Sequence, residues 1–186
     1  LVLGLRDVMD EPSLLATEWE RKNVVPALEK LYDEIWVYGL PQICDPLAEI
    51  NLPPEVRRKM VYTGYLEREG ARGAPATEHA VPFDRPYLLV TPGGGGDGEA
   101  MMDWVLRAYE YDARPPYPAL LVFGPFMQNE IQAEFAARVS RLRDVEAITF
   151  EANIEPLIQE AAGIVAMGGY NTFCEILTFD KPALII

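Results

Sequence analysis

From Pro86 onward, short apolar stretches alternate regularly with segments of helical pattern, and few folds accommodate such an alternation. The predicted strands are Tyr87–Thr91, Ala119–Phe123, Ala147–Phe150, Gly163–Met167 and Ala183–Ile186. The predicted helices between them are Gly98–Tyr111, Gln128–Val139, Asn153–Ala161 and Tyr170–Phe179. Strands that are apolar almost throughout and are separated by helices indicate a parallel sheet covered on both faces. We therefore predict an α/β fold with a Rossmann-like parallel sheet and helices on both sides of it.

The part of the chain before this sheet divides into two regions. Residues 1–66 have the pattern of the last part of a preceding α/β domain, with a helical segment at Ser13–Tyr32 that we expect Pro26 to kink or divide. Residues 67–85 contain Gly, Ala, Pro and charged residues with few large apolar side chains, which is typical of a linker. Residues 86–186 then form the main predicted domain.

Both ends of the chain lie in apolar runs, Leu1–Leu5 and Ala183–Ile186. Buried strands rarely begin or end a natural chain, because termini tend to be exposed. We expect the chain to be a piece of a longer protein, with the domain of residues 86–186 cut at its C-terminal end.

The charge excludes some classes of partner. A formal net charge of −13 and a pI near 4.5 argue against nucleic acid and against general attraction to anionic membranes, since both depend on clustered Lys and Arg. Cys44 and Cys174 are too few and too far apart for a disulfide framework or a metal site, which favours a reducing cytoplasm. No apolar run has the roughly 18 residues of a membrane-spanning helix.

Two glycine-rich turns follow predicted strands and precede predicted helices: Thr91–Gly98 and Gly168–Glu175. Glycine lets a backbone approach a ligand closely, and a helix start offers free N–H groups and partial positive charge to an anion. Because loops that follow parallel strands lie at one edge of a sheet, the two turns predict a diphosphate held between two helix N-termini. Asn171 and Thr172 as ordinary helix caps are the alternative for the second turn.

Other nucleotide motifs fit less well. Gly93, Gly95 and Gly98 match G-x-G-x-x-G spacing, but no carboxylate follows at the end of the next strand to hold the ribose of a dinucleotide. A Walker-type loop is excluded because no Lys-Ser or Lys-Thr pair follows the glycines.

The run Gly163–Leu177, followed by Lys181–Ile186, resembles the nucleotide-sugar signature of GT-B glycosyltransferases. The similarity is to the family 28 C-terminal domain of MurG-type N-acetylglucosaminyltransferases and of predicted bacterial glycosyltransferases. It covers the chain from about Tyr87 onward, whereas residues 1–66 resemble the end of the family's N-terminal, acceptor-binding domain only loosely.

The resemblance implies where a donor nucleotide binds. The first glycine turn approaches the diphosphate, Phe150–Ile154 lies against the uracil base, Glu175 holds the ribose, and small residues at the second turn contact phosphate. The implied donor-binding residues are Gly93, Gly94, Gly95, Gly96, Phe150, Ile154, Gly168, Gly169, Asn171, Thr172 and Glu175.

The resemblance also implies a hexosyltransferase-type enzyme that transfers a sugar from a UDP-sugar, with no cofactor and no metal. The catalytic base is unassigned, since in this fold it comes from the N-terminal domain, most of which the chain lacks, and we expect the piece to bind nucleotide even if it does not catalyse. The acceptor is open among a lipid, a polysaccharide and a protein, as is peripheral membrane contact through the missing N-terminal region. Asp7, Asp10 and Glu11 are loop residues that follow the first strand toward the domain cleft, and His79 is expected to be a solvated linker residue.

Two alternative functions share the same turns. A UDP-sugar epimerase or nucleotide-sugar hydrolase would use a related fold with other acid and base groups. A regulatory module would bind the nucleotide without chemistry. A dehydrogenase is a further alternative, which preferential binding of NAD would support.

Overall fold

A computed structural model describes residues 1–9, 12–66, 81–93, 96–112 and 115–186, apart from the side chains at positions 12 and 13. The chain divides into two compact units, Leu1–Leu66 and Glu67–Ile186. Residues 67–80 of the predicted linker at 67–85, with His79, lie outside the described residues, as do Asp10, Glu11, Gly94 and Gly95. The assignment of the two units to acceptor and donor domains stays a prediction.

The first unit is a parallel sheet of three strands in the order β1-β2-β3. Its elements are β1 (Val2–Arg6), α1 (Pro12–Arg21), α2 (Val24–Leu31), β2 (Glu34–Tyr38), α3 (Pro54–Arg57) and β3 (Met60–Tyr62). The strands lie side by side in chain order, so the connection from β1 to β2 and that from β2 to β3 move across the sheet in the same direction. Right-handed connections of this kind place all three helices on one face of the sheet. Ile35 and Val37 of β2 are fully buried, whereas Trp36 between them is 40% exposed, as an alternating strand covered on one face requires.

The break in the first helical segment lies at Asn23, so the predicted break at Pro26 is wrong. Asn23 has a φ of 54°, in the left-handed region that Asn tolerates better than most residues. Pro26 lies in the first turn of α2, where a missing backbone N–H removes no helical hydrogen bond. Leu14 and Leu31 are 64% and 60% exposed, although the helical pattern over Ser13–Tyr32 predicts both on the inner face.

The second unit is a parallel sheet of five strands in the order β6-β5-β4-β7-β8. Its strands are β4 (Leu88–Thr91), β5 (Ala119–Val122), β6 (Val145–Ile148), β7 (Gly163–Ala166) and β8 (Ala183–Ile185). Its helices are α4 (Glu99–Tyr111), α5 (Asn129–Val139), α6 (Glu155–Glu160) and α7 (Tyr170–Thr178). All pairings are parallel, and the predicted α/β fold is confirmed.

Separate hydrophobic cores cover the two faces of this sheet. Leu121 of β5 packs with Met102, Leu106 and Phe135 of α4 and α5, whereas its neighbour Leu120 belongs to the core on the other face. The second core contains buried residues of α6 and α7: Leu157, Ile158 and Ile176. Continuous apolar strands are therefore explained by burial on both sides.

Three chemical features of the described residues bear on function. None of their helices combines the length and apolar character that crossing a membrane requires. Within the same ranges, no group of three or more His, Cys, Asp or Glu side chains is placed to hold a metal ion. Cys44 and Cys174 are free cysteines, and burial raises the pKa of the Cys44 thiol, with the charges of Asp7 and Asp45 adding to the effect.

Candidate functional site

The strand order reverses between β4 and β7. From β4 the chain proceeds through α4 to β5 and then to β6 on one side, and from β7 it proceeds through α7 to β8 on the other. The connections that follow β4 and β7 therefore leave in opposite directions and open a crevice at the carboxyl ends of these strands. Such a reversal is where open α/β sheets bind their ligands.

A cleft of about 180 Å³ occupies this place. It is lined by Thr91, Gly93, Val122, Gly124, Pro125, Phe150, Glu151, Ile154, Asn171, Thr172 and Glu175. Four strand ends contribute to it, those of β4, β5, β6 and β7. Residues from both glycine-rich turns and from the Phe150–Ile154 turn thus line one cleft at a single edge of the sheet.

The turn after β4 is held by its own strand end and touches the start of α7. The Gly93 N–H donates to the Thr91 Oγ1 at 3.1 Å, and Thr91 is buried. Gly93 has a φ of 73°, which favours glycine, and a Cβ there would lie 3.2 Å from Thr172 Oγ1. The two turns expected to hold a diphosphate are therefore in contact distance of each other.

The turn after β5 also belongs to the cleft. Gly124 has a φ of 89°, and a Cβ at this position would lie 2.6 Å from the Gly93 carbonyl oxygen. This glycine was not among the predicted site residues, although a glycine directly after a strand at this edge is a usable signal. Gly124 therefore packs directly against the backbone of Gly93 in the turn after β4.

Helix α7 begins without a side-chain cap. Its N-cap is Gly169, so the alternative that Asn171 or Thr172 caps the helix is wrong, and both residues lie in its first turn. Gly169 is exposed, and a Cβ there would meet no atom within 4 Å. The N-cap position of the helix is therefore open to solvent on the side where a side chain would lie.

Glu175 lies in the second turn of α7 and is buried in the wall of the cleft, with 5% of its surface exposed. Asn171 and Thr172 line the cleft one turn earlier. Because these positions are separated by three to four residues, they lie on the same face of the helix. The structure thus brings the predicted ribose residue next to the predicted phosphate residues.

The turn after β6 supplies the other end of the cleft. β6 ends at Ile148 and not at Phe150 as the sequence pattern predicted, so Phe150 lies in the turn and is 48% exposed. Ile154 is half-buried in the same wall. Glu151 between them is buried, and its Oε1 accepts a hydrogen bond from the Asn153 N–H at 3.0 Å. Glu151 is not among the donor-binding residues that the resemblance implies.

The remaining predicted residues lie beside the cleft or outside the described part. Gly168 and Gly169 are exposed and precede α7. Gly96 is exposed near the Phe126 carbonyl, and Gly94 and Gly95 lie outside the described residues.

Charge in the cleft comes from acidic side chains. Its lining includes Glu151 and Glu175, with no Lys, Arg or His among the described lining residues. An anion in this cleft would therefore depend on backbone N–H groups and on the partial positive charge at the start of α7.

In the first unit, Asp7 is engaged within its own sheet. It is fully buried at the end of β1, and it accepts hydrogen bonds from the Tyr65 hydroxyl at 2.5 Å and from the Val8 N–H at 2.8 Å. A Cβ on Gly39 would overlap its side chain. These contacts give Asp7 a structural role in the unit.

Two larger hollows lie away from these turns. One of about 450 Å³ is at the opposite edge of the second sheet, between the end of α4 and the start of β6. The other, of about 440 Å³, is in the first unit between α1, α2 and Asn51. Neither of the two glycine-rich turns contributes a described residue to the lining of these hollows.

The comparisons with known proteins agree on one fold. No family model matches the chain. Two relatives described as uncharacterized glycosyltransferases, from Methanosarcina acetivorans and Methanosarcina mazei, are 26% and 27% identical over 148 residues, which is 79% of this chain and 35% of each relative. The chain therefore spans about a third of the length of the curated relatives it matches.

Solved structures give the same answer. The calicheamicin glycosyltransferase CalG4 matches 97% of this chain and 41% of its own, with a TM-score of 0.53 and 13% identity. The glycotransferase of kitacinnamycin matches 93% of this chain and 42% of its own, with a TM-score of 0.55 and 14% identity. The chain has a GT-B glycosyltransferase fold. The resemblance noted in the sequence is thereby confirmed at the level of the fold.

Proposed function

We propose that the second unit binds the UDP-sugar donor of a glycosyltransferase in the cleft between β4 and β7. The observation that carries the proposal is the convergence of three turns on one cleft: the glycine turn after β4, the uncapped start of α7 and the Phe150–Ile154 turn. The glycosyltransferase relatives and the fold support the same reading.

The geometry suggests an orientation for the nucleotide. The ends of β7 and β6 are three strand spacings apart, or about 14 Å, which suits an extended nucleoside diphosphate. We place the diphosphate between Gly93 and the first turn of α7, the base against Phe150 and Ile154, and the ribose hydroxyls on Glu175. A carboxylate is a natural acceptor for sugar hydroxyls, since it carries no donor of its own.

Catalysis by the whole protein would then rest on the same backbone groups. As the bond to the sugar breaks, negative charge grows on the departing UDP, and N–H groups oriented before the reaction stabilise that charge. We propose that no metal or cofactor is needed and that the enzyme acts in the cytoplasm. The base that deprotonates the acceptor hydroxyl is unassigned.

Two alternatives make different predictions. An epimerase or nucleotide-sugar hydrolase would change or release the sugar without an acceptor, and a regulatory module would bind nucleotide with no turnover by the full-length protein. The cleft geometry is compatible with both, and the relatives named as glycosyltransferases favour transfer.

The test is a comparison of UDP, GDP, ADP and NAD as ligands of the 186-residue chain. A ligand of the native state stabilises it by about 2.7 kcal/mol at a hundredfold excess over its Kd, so UDP should raise the melting temperature by several degrees. We expect UDP to exceed the other three. Stabilisation by NAD alone, or by none of the four, contradicts the proposal.

A further inference from the structure

Glu151 is a buried carboxylate in the cleft wall to which the proposed function assigns no contact. It is 5% exposed and lies between Phe150 and Ile154, the two side chains placed against the base. Burying a charged group is costly unless hydrogen bonds compensate it, so a glutamate in this position requires an explanation.

Its hydrogen bond offers that explanation. The Oε1 of Glu151 accepts the N–H of Asn153, two residues ahead, and so closes the turn from within. Helix α6 begins two residues later at Glu155, with Ile154 as its N-cap. The bond therefore constrains the backbone between the exposed Phe150 ring and the first turn of α6, which is the main chain that joins the two side chains placed against the base.

We propose that Glu151 is a positioning residue that holds the Phe150–Ile154 turn in the shape that receives a uracil ring, and so sets the preference for UDP over ADP. The proposal rests on the proposed function, since it refines the base-binding end of the same cleft. Main-chain groups held at fixed positions can match the hydrogen-bonding edge of one base and mismatch that of another.

The Glu151 carboxylate also has a second effect on nucleotide binding, which opposes the first. Two substitutions can therefore distinguish the two effects. The negative charge of Glu151 repels a diphosphate, so removing the charge alone should tighten binding. Removing the acceptor oxygen should weaken binding by releasing the turn. Glu151→Gln removes the charge and keeps an acceptor at the same place, whereas Glu151→Ala removes both.

The experiment measures the affinity of the 186-residue chain for UDP and for ADP by calorimetry, together with its melting temperature. We expect Glu151→Ala to weaken UDP binding about tenfold and ADP binding less than threefold, whereas Glu151→Gln keeps or improves UDP affinity. Glu146→Ala on β6, at an exposed position before the turn, is the matched control and should leave both affinities unchanged.

Several results overturn the proposal. Tighter UDP binding by both Glu151 variants would show that the side chain acts only through its charge. An equal loss of UDP and ADP affinity in Glu151→Ala, with a lower melting temperature, would show a merely structural role. Equal affinity of the unmodified chain for both nucleotides removes the specificity claim, whereas no nucleotide binding by that chain refutes the proposed function itself.

If Glu151→Ala does not fold, hydrogen exchange of the Asn153 amide tests whether its hydrogen bond to Glu151 holds the turn. The amide should exchange slowly in the unmodified chain and in Glu151→Gln, because both retain the acceptor. Fast exchange in the unmodified chain overturns the proposal.

Discussion

Gly124 provides a sharp test of how the cleft is built. Its φ of 89° is a conformation that other residues adopt only with strain, and a methyl group there would lie 2.6 Å from the Gly93 carbonyl oxygen. The Gly124→Ala change therefore strains the turn after β5 and brings a methyl group into steric overlap with the turn after β4. The atom that must yield is backbone and not the end of a flexible side chain.

The cost follows from three contributions. The left-handed backbone costs about 1–2 kcal/mol with a side chain, and overlap in a packed site costs about 1–3 kcal/mol. A smaller conformational freedom of the unfolded chain offsets about 0.4–1 kcal/mol. We expect the free energy of unfolding to fall by about 3 kcal/mol, which lowers the melting temperature by roughly 10 °C for a domain of this size.

Thermal and urea unfolding followed by circular dichroism measure this effect. Gly169→Ala is the matched control, since Gly169 lies on the same sheet edge, has a φ of −61° and leaves open space for a methyl group. It should change stability by less than about 1 kcal/mol, because alanine is a poorer N-cap than glycine but also restricts the unfolded chain. The reasoning is refuted if Gly124→Ala is as stable as Gly169→Ala, because the contact with the Gly93 carbonyl would then not exist.

Three further changes test other parts of the molecule. Glu175→Ala should weaken UDP binding by roughly 1–3 kcal/mol, the range for losing a charged hydrogen-bond partner, and unchanged affinity in a folded variant contradicts the ribose assignment. Lys59→Met should lower the free energy of unfolding by about 1.5–3 kcal/mol, because the Lys59 ammonium donates hydrogen bonds to three carbonyl groups at the end of α2. Lys30 is exposed on the same helix and should tolerate the same change. The hydrogen bond from Arg138 holds the pKa of Asp103 below its usual value, so this stabilisation is present above about pH 4 and is lost as the pH falls further. Acid unfolding of Arg138→Met should therefore show a weaker pH dependence, and an unchanged profile contradicts the assignment.

Most elements of the second unit could be predicted because their signals are local. The apolar run Leu120–Phe123 needs burial on both faces, and helix periodicity follows from which neighbours must face the sheet. The predictions were wrong where a sequence feature is weak or is compatible with two different structures. Pro26 is tolerated in the first turn of a helix as well as at a break, and only the backbone of Asn23 shows which of the two applies.

The candidate site was only partly accessible from sequence. Glycine turns and Glu175 carry recognisable patterns, whereas Glu151 carries none and Gly124 has only its place directly after a predicted strand. Glu151 resembles any carboxylate in a loop until its burial and its bond to the Asn153 N–H are known. Gly124 resembles any turn glycine until the Gly93 carbonyl is found against it.

The sequence by itself determined that this chain forms parallel sheets with glycine turns at their carboxyl edges, because burial and backbone freedom are properties of neighbouring residues. The tertiary structure decided that β4 and β7 are neighbours in the sheet, although three helices and two strands lie between them along the chain. That pairing depends on how several helices share the faces of the sheet, which no local pattern encodes. The cleft, and with it the meeting of Gly93 and Thr172, exists only because of that pairing.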